Sequence, residues 1–124
     1  MEAAQAQPPE PGTEGDPLVA KSYVDEKLGQ LDARLQGLVL QVVELPRGKA
    51  LVAEGGAELI LRAGKATALA GKLGGVGDLT AGIDLATGRE VPLNHLLVVP
   101  RDDGRGLKAV TDCVVLVRGG FTIR

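Results

Sequence analysis

Apolar side chains at Val24, Leu28, Leu31, Leu35, Leu38 and Val42 recur at alternating steps of four and three, and after Val42 that period never returns. This spacing lines one seam of a helix, the a/d positions of a coiled coil. Leu28 and Leu35 take position a; Val24, Leu31 and Leu38 take d. A stripe this narrow suits a helix that meets other helices better than one resting on a broad core. A helix of this length is marginal alone in water, so its seam needs a cover. The cover is either the rest of the chain or other copies of it, and the strict a/d pattern favours copies. Gly29 and Gly37 weaken the isolated helix further, by roughly 1 kcal/mol each relative to alanine, and Gly37 marks its expected end. Two starts compete. Asp16 can cap with Pro17 in the first turn, or Ser22 can cap with Asp25 three residues on. In a parallel bundle, Lys27 at position g of one chain faces Asp32 at position e of its neighbour. The expectation is an amphipathic coiled-coil helix over 18–38.

From Leu38 onward the texture is that of short strands. LVLQVVEL is β-branched and alternating, and Pro46-Arg47-Gly48-Lys49 reads as a turn. ALVA, AELILRA and ATALA follow, separated by Glu54-Gly55-Gly56 and Gly64-Lys65. GKLGGVGDLTAG reads as a long glycine-rich loop, REVPLNHLLVVP as an apolar run and RDDGRG as a turn cluster. KAVTDCVVLVRGGFTIR reads as one long strand, a Gly119-Gly120 turn and a short final strand. Turns at this rhythm predict a mainly β fold over 39–124, a small antiparallel β-sandwich or barrel preceded by the helix. The predicted core is Val43, Leu45, Leu51, Leu59, Leu61, Leu69, Leu97, Val99, Val115 and Val117. Residues 1–17 are rich in Pro, Glu, Gln and Gly without apolar periodicity, so they are expected to be a disordered tail.

Composition excludes several functions. Net charge is −2, Tyr23 and Phe121 are the only aromatic residues, and there is no Trp. Single-stranded nucleic acid is held by stacking aromatics in a cationic groove, so no nucleic-acid partner is expected. The same balance argues against an anionic membrane surface, and no apolar run reaches the roughly 18 residues of a membrane span. The N-terminus lacks the basic start and apolar core of a secretion signal, so the expectation is cytoplasmic synthesis without classical export. An aliphatic core buries little area per side chain. That is a second reason to expect self-association.

Chemistry-bearing residues are sparse. Asp102, Asp103 and Arg105 form the densest charged cluster. Two adjacent carboxylates point apart on an extended chain, and the alternating oxygen ligands of a calcium loop are missing. A charged hairpin turn with local Arg–Asp pairs is the plainer reading, and a surface-binding loop for a protein or glycan is its functional alternative. The glycine-dense 74–78 segment lacks the Gly-Lys-Ser/Thr ending of a phosphate loop. His95 is the only histidine and Cys113 the only cysteine. The two are candidates for a nucleophile–base pair, but a lone cysteine in a valine-rich strand is more often a small buried hydrophobe. One cysteine cannot build a thiol-based zinc site within one chain. No catalytic residue, metal ligand or cofactor is therefore assigned.

KSYVDEKL, LRAGKATAL, DLTAGIDL, VPLNHLLVVPRDDGRGLKA and VLVRGGFTI, in that order, resemble small uncharacterised proteins of Gram-positive, spore-forming bacteria. Some of these look like the terminal module of surface-layer-associated proteins. The resemblance spans roughly 20–124, and Asn94–Gly106 is its most specific block. It implies a structural, envelope-related role without catalytic residues. A short coiled coil feeding a β-domain is also similar to the neck and head of trimeric fibre proteins on phage tails and bacterial adhesins. The expectation is a non-enzymatic homo-oligomer, a trimer, at the envelope, the spore or a phage-derived structure. Its partners would be other copies of itself and another envelope or coat protein. A binding module is the alternative.

Overall fold

The computed structural model describes residues 7–124. Residues 1–6, the start of the segment expected to be disordered, lie outside the described residues. Residues 7–17 are exposed and carry a turn, in which the Asp16 N–H donates to the Thr13 carbonyl (2.9 Å) and the Gly12 N–H to the Asp16 carbonyl (2.7 Å). The chain divides into two compact units, the first closing at Arg34 and the second being Leu35–Arg124.

Helix α1 is Lys21–Gln36. The Ala20 carbonyl accepts from Tyr23 and Val24 N–H (3.1 and 3.3 Å). Ala20 is thus the cap residue, and neither Asp16 nor Ser22 supplies the side-chain cap that the sequence offered. An exposed Lys21–Asp25 pair one turn apart (2.6 Å) supports the first turns instead. At the far end the Leu38 N–H donates to the Leu35 carbonyl (3.0 Å), a tightened last turn before the chain leaves the helix at Gly37. The helix is therefore shorter at both ends than 18–38. Leu38 follows it, and Val42 lies on a strand.

Ten strands follow. They are β1 (Gln41–Leu45), β2 (Ala50–Ala53), β3 (Glu58–Ala63), β4 (Ala66–Leu69), β5 (Val76–Asp78), β6 (Ile83–Leu85), β7 (Leu97–Val98), β8 (Gly106–Ala109), β9 (Cys113–Arg118) and β10 (Phe121–Ile123). They form two antiparallel sheets, one in the order β1-β9-β3-β7-β5-β6 and one in the order β10-β2-β8-β4. The sheets share no strand, so there is no closed barrel. Along β1 to β5 and again along β7 to β10, each successive strand enters the other sheet. Only β5, β6 and β7 stay in one sheet in succession.

Strand pleat decides which side chains go inward. On β9, Cys113, Val115 and Val117 are buried, and Val114 and Leu116 point the other way. On β3, Leu59 and Leu61 are buried between less buried neighbours. The inward residues of both sheets join one aliphatic cluster, and Phe121 packs partly against it. Truncating a fully buried leucine such as Leu59 or Leu61 to alanine costs about 2–5 kcal/mol. Every predicted core residue is buried except Leu69, which is half-buried. The pleat of β4 turns Ala66 and Ala68 inward instead.

Two segments differ from their sequence reading. The glycine-rich loop contains β5, which pairs with β6 just beyond it as Val76↔Leu85, Gly77↔Asp84 and Asp78↔Ile83. The single long strand expected from Lys108 is two strands in different sheets, broken at Val110-Thr111-Asp112. That break is a hydrogen-bonded corner. Thr111 Oγ1 accepts the Lys65 N–H and Asp112 Oδ1 the Arg47 N–H, each at 2.9 Å. Short polar side chains favour such corners because they satisfy backbone donors that the ladder abandons. Strand β8 also needs Gly106, where an added Cβ would strike the Leu51 carbonyl on the neighbouring strand.

Candidate functional site

The α1 seam is an apolar row left exposed on the helix. None of the helix residues is buried. Leu28, Leu31 and Leu35 are each more than half exposed, and Val24 is 38% exposed. Leu38, the fifth residue assigned to the seam, is 70% exposed in the turn after the helix. The seam on the helix itself is thus Val24, Leu28, Leu31 and Leu35. On the two-sheet unit, Val42 of β1 is 71% exposed and stands beside Leu116 across the ladder, with Ile60 on the far side of Leu116. This outward row on three strands is a second apolar surface.

Asp102, Asp103 and Arg105 do not form an open binding loop. Arg105 is buried. Its Nε and Nη2 donate to the Asp103 carboxylate (2.8 and 2.9 Å), and its Nη1 donates to the Gly75 carbonyl (2.8 Å). The planar guanidinium thus holds a bidentate pair and a loop carbonyl at once. The Asp103 carboxylate lies against Gly71, where an added Cβ would collide with it. Asp102 turns the opposite way, and its Oδ1 accepts the Gly55 N–H. The cluster ties the 71–75 loop and the 54–56 turn to the approach of β8.

Sequence reasoning passed over Asp78, which is among the most buried side chains of the protein. It ends β5. Its Oδ1 accepts the Ala81 N–H (3.0 Å) and its Oδ2 lies 2.8 Å from His95 Nδ1. Burial pushes the Asp78 carboxyl up, but the Ala81 N–H, the His95 ring and the Thr80 N–H outweigh it, and the carboxyl is held below its usual value. An ionised carboxylate only accepts, so His95 Nδ1 is the donor in this pair. Asn94, the one residue other than glycine in the left-handed region among the described residues (φ 63°), turns the chain just before His95. The Leu96 N–H donates to Thr80 Oγ1 (2.9 Å) and the Leu79 N–H to the Leu96 carbonyl (2.9 Å), fastening the two loops around the pair. The signal in the sequence was Asp78-Leu79-Thr80-Ala81-Gly82, an Asx-turn pattern inside the glycine-rich loop.

The structure does not join Cys113 to His95. The Cys113 Sγ lies 3.2 Å from the carbonyls of Lys65 and Thr111, which accept its hydrogen. Burial raises its thiol above the ordinary value. The imidazole is oriented by a carboxylate, as a general base is, but among the described residues only Asp78 is hydrogen-bonded to it. A depression of ≈ 380 Å³ beside Cys113 is lined by Glu44, Pro46 and Asp112, and His95 is not among its lining residues. Among the described residues no group of three or more His, Cys, Asp or Glu side chains is placed to hold a metal ion, and no helix is long and apolar enough to cross a membrane. Compared with protein-family models, curated proteins and solved structures, the chain matches none.

Proposed function

We propose that this chain is a non-enzymatic assembly protein. Copies of it associate through the α1 seam and carry the two-sheet unit as a head. The observation that carries this reading is the a/d row of Val24, Leu28, Leu31 and Leu35 on a helix that buries none of its residues. Fully burying one leucine side chain is worth about 1.5–3 kcal/mol, and a helix of 16 residues cannot keep such a row in water without cover. A coiled coil of this length is also weak, so the outward row of Val42, Ile60 and Leu116 offers further apolar area to the same assembly. A trimer is the copy number of the neck-and-head architecture that the chain resembles. An envelope, spore or phage-derived setting rests on the same resemblance.

Native mass tests the reading. Light scattering on the full chain at micromolar concentration is expected to give a homo-oligomer. The double variant L28D/L35D is expected to give a monomer with an unchanged β spectrum. A monomeric full chain at all concentrations would overturn the proposal.

A further inference from the structure

The charges that flank the α1 seam are sorted by side. Counting from Leu28 at position a, the e positions on the helix are Asp25 and Asp32, and the g positions are Lys27 and Arg34. Every flanking residue on one side is acidic and every one on the other is basic. In a parallel coiled coil, position g of one helix faces position e of the next heptad on its neighbour. Lys27 then meets Asp32 of a second copy, and no like charges are opposed. In an antiparallel pair g faces g and e faces e. Lys27 and Arg34 would then meet their own kind, as would Asp25 and Asp32, at a cost on every contact.

Within one chain these charges are largely unspent. Asp32 and Arg34 belong to no ion pair among the described residues. Lys27 lies over the Tyr23 ring, 5.6 Å from its centroid, and has no carboxylate partner among the described residues. Lys27 and Asp32 are five residues apart, too far round the helix to pair with each other.

We infer that α1 recognises a second copy of this chain in parallel, with Lys27 of each copy set against Asp32 of its neighbour. This rests on the proposed self-association and adds its orientation. A parallel seam sets the C-terminal ends of the helices side by side.

Charge reversal on the full chain tests it, with self-association measured by sedimentation equilibrium in low and high salt. K27E sets the introduced glutamate against Asp32 of the neighbour, and D32K sets the introduced lysine against Lys27. Each is expected to weaken association roughly two- to fivefold at low salt and less at high salt. The double variant K27E/D32K restores the opposite pairing and is expected to return to within about twofold of the parent. Helix content by circular dichroism at matched oligomer fraction separates these effects from a damaged helix. Tighter association of K27E would mean that g faces g, and would overturn the parallel orientation while leaving the seam intact. Three variants indistinguishable from the parent would also overturn it. A parent chain that stays monomeric would overturn the seam itself.

Discussion

Replacing Asp78 with alanine removes a buried carboxylate that accepts from the Ala81 N–H and the His95 ring. Hydrogen bonds to a charged group are worth about 1.5–3 kcal/mol each. Two considerations pull the total down. The carboxylate is itself costly to bury. Ala81 is exposed and the His95 side chain is 29% exposed, so both donors can turn to water. The net loss is expected at about 2–4 kcal/mol, which lowers the midpoint of thermal unfolding by roughly 10–25 °C for a unit of this size. D78N keeps the shape and one acceptor oxygen, and should lose about half as much. H95A gives up one half-buried bond and should lose about 1 kcal/mol. The assay is thermal and urea unfolding followed by far-ultraviolet circular dichroism, because the two-sheet unit has neither Trp nor Tyr to report on itself.

The pH dependence has a definite sign. The folded Asp78 carboxyl lies below the usual aspartate value of about 3.8. Its contribution is therefore complete above that value and is lost as pH falls through the lower, folded one, because the unfolded chain takes up the proton first. The gap between parent and D78N should narrow on acidification below about pH 3.8. A D78A midpoint within about 2 °C of the parent, or H95A more damaging than D78A, would refute this account of the pair.

Two further outcomes are expected. R105A leaves the Asp103 carboxylate and the Gly75 carbonyl without their donor and should cost about 3–5 kcal/mol in urea unfolding; R105K, unable to span both partners, should recover only part. Cys113, buried with a raised thiol, should resist an alkylating probe in the folded protein and react at the rate of a free thiol in urea; rapid labelling of the native chain would contradict its placement.

Period-two alternation made β1 to β4 and β9 legible, because the inward residues within each of them stand two positions apart, as Val43 and Leu45 do on β1 and Cys113, Val115 and Val117 on β9. The seam of α1 was legible for the same reason at the helical period. The limits of that helix were not. A side-chain cap was offered by Ser22 and Asp16, but the chain starts one residue before Ser22 on the bare Ala20 carbonyl. Strand β5 hid because Gly77 and Asp78 carry no apolar alternation and its pairing partners on one side, Val98 and Leu97 on β7, are distant in sequence; β6 pairs only with β5. Asp78 looked like loop chemistry because nothing local says that a carboxylate will be enclosed. Arg105 was read as surface for the same reason, since its burial depends on Gly71 and Gly75 lying across from it. The break at Thr111-Asp112 was visible only as two polar residues in an apolar run, and its corner is completed by Arg47 and Lys65.

The alternation of strands between sheets has a consequence for how the chain reaches this state. Strand β9 lies between β1 and β3, so the first and third strands have no common neighbour until Cys113–Arg118 has been made. On the ribosome neither sheet can close early, and most pairing must wait until β8 and β9 have been made. Contacts this distant in sequence fold slowly. They also leave no half that can persist alone, since cutting anywhere between β2 and β9 removes strands from both sheets at once. A nick or truncation within 54–112 should therefore release the whole unit to degradation, leaving no stable fragment.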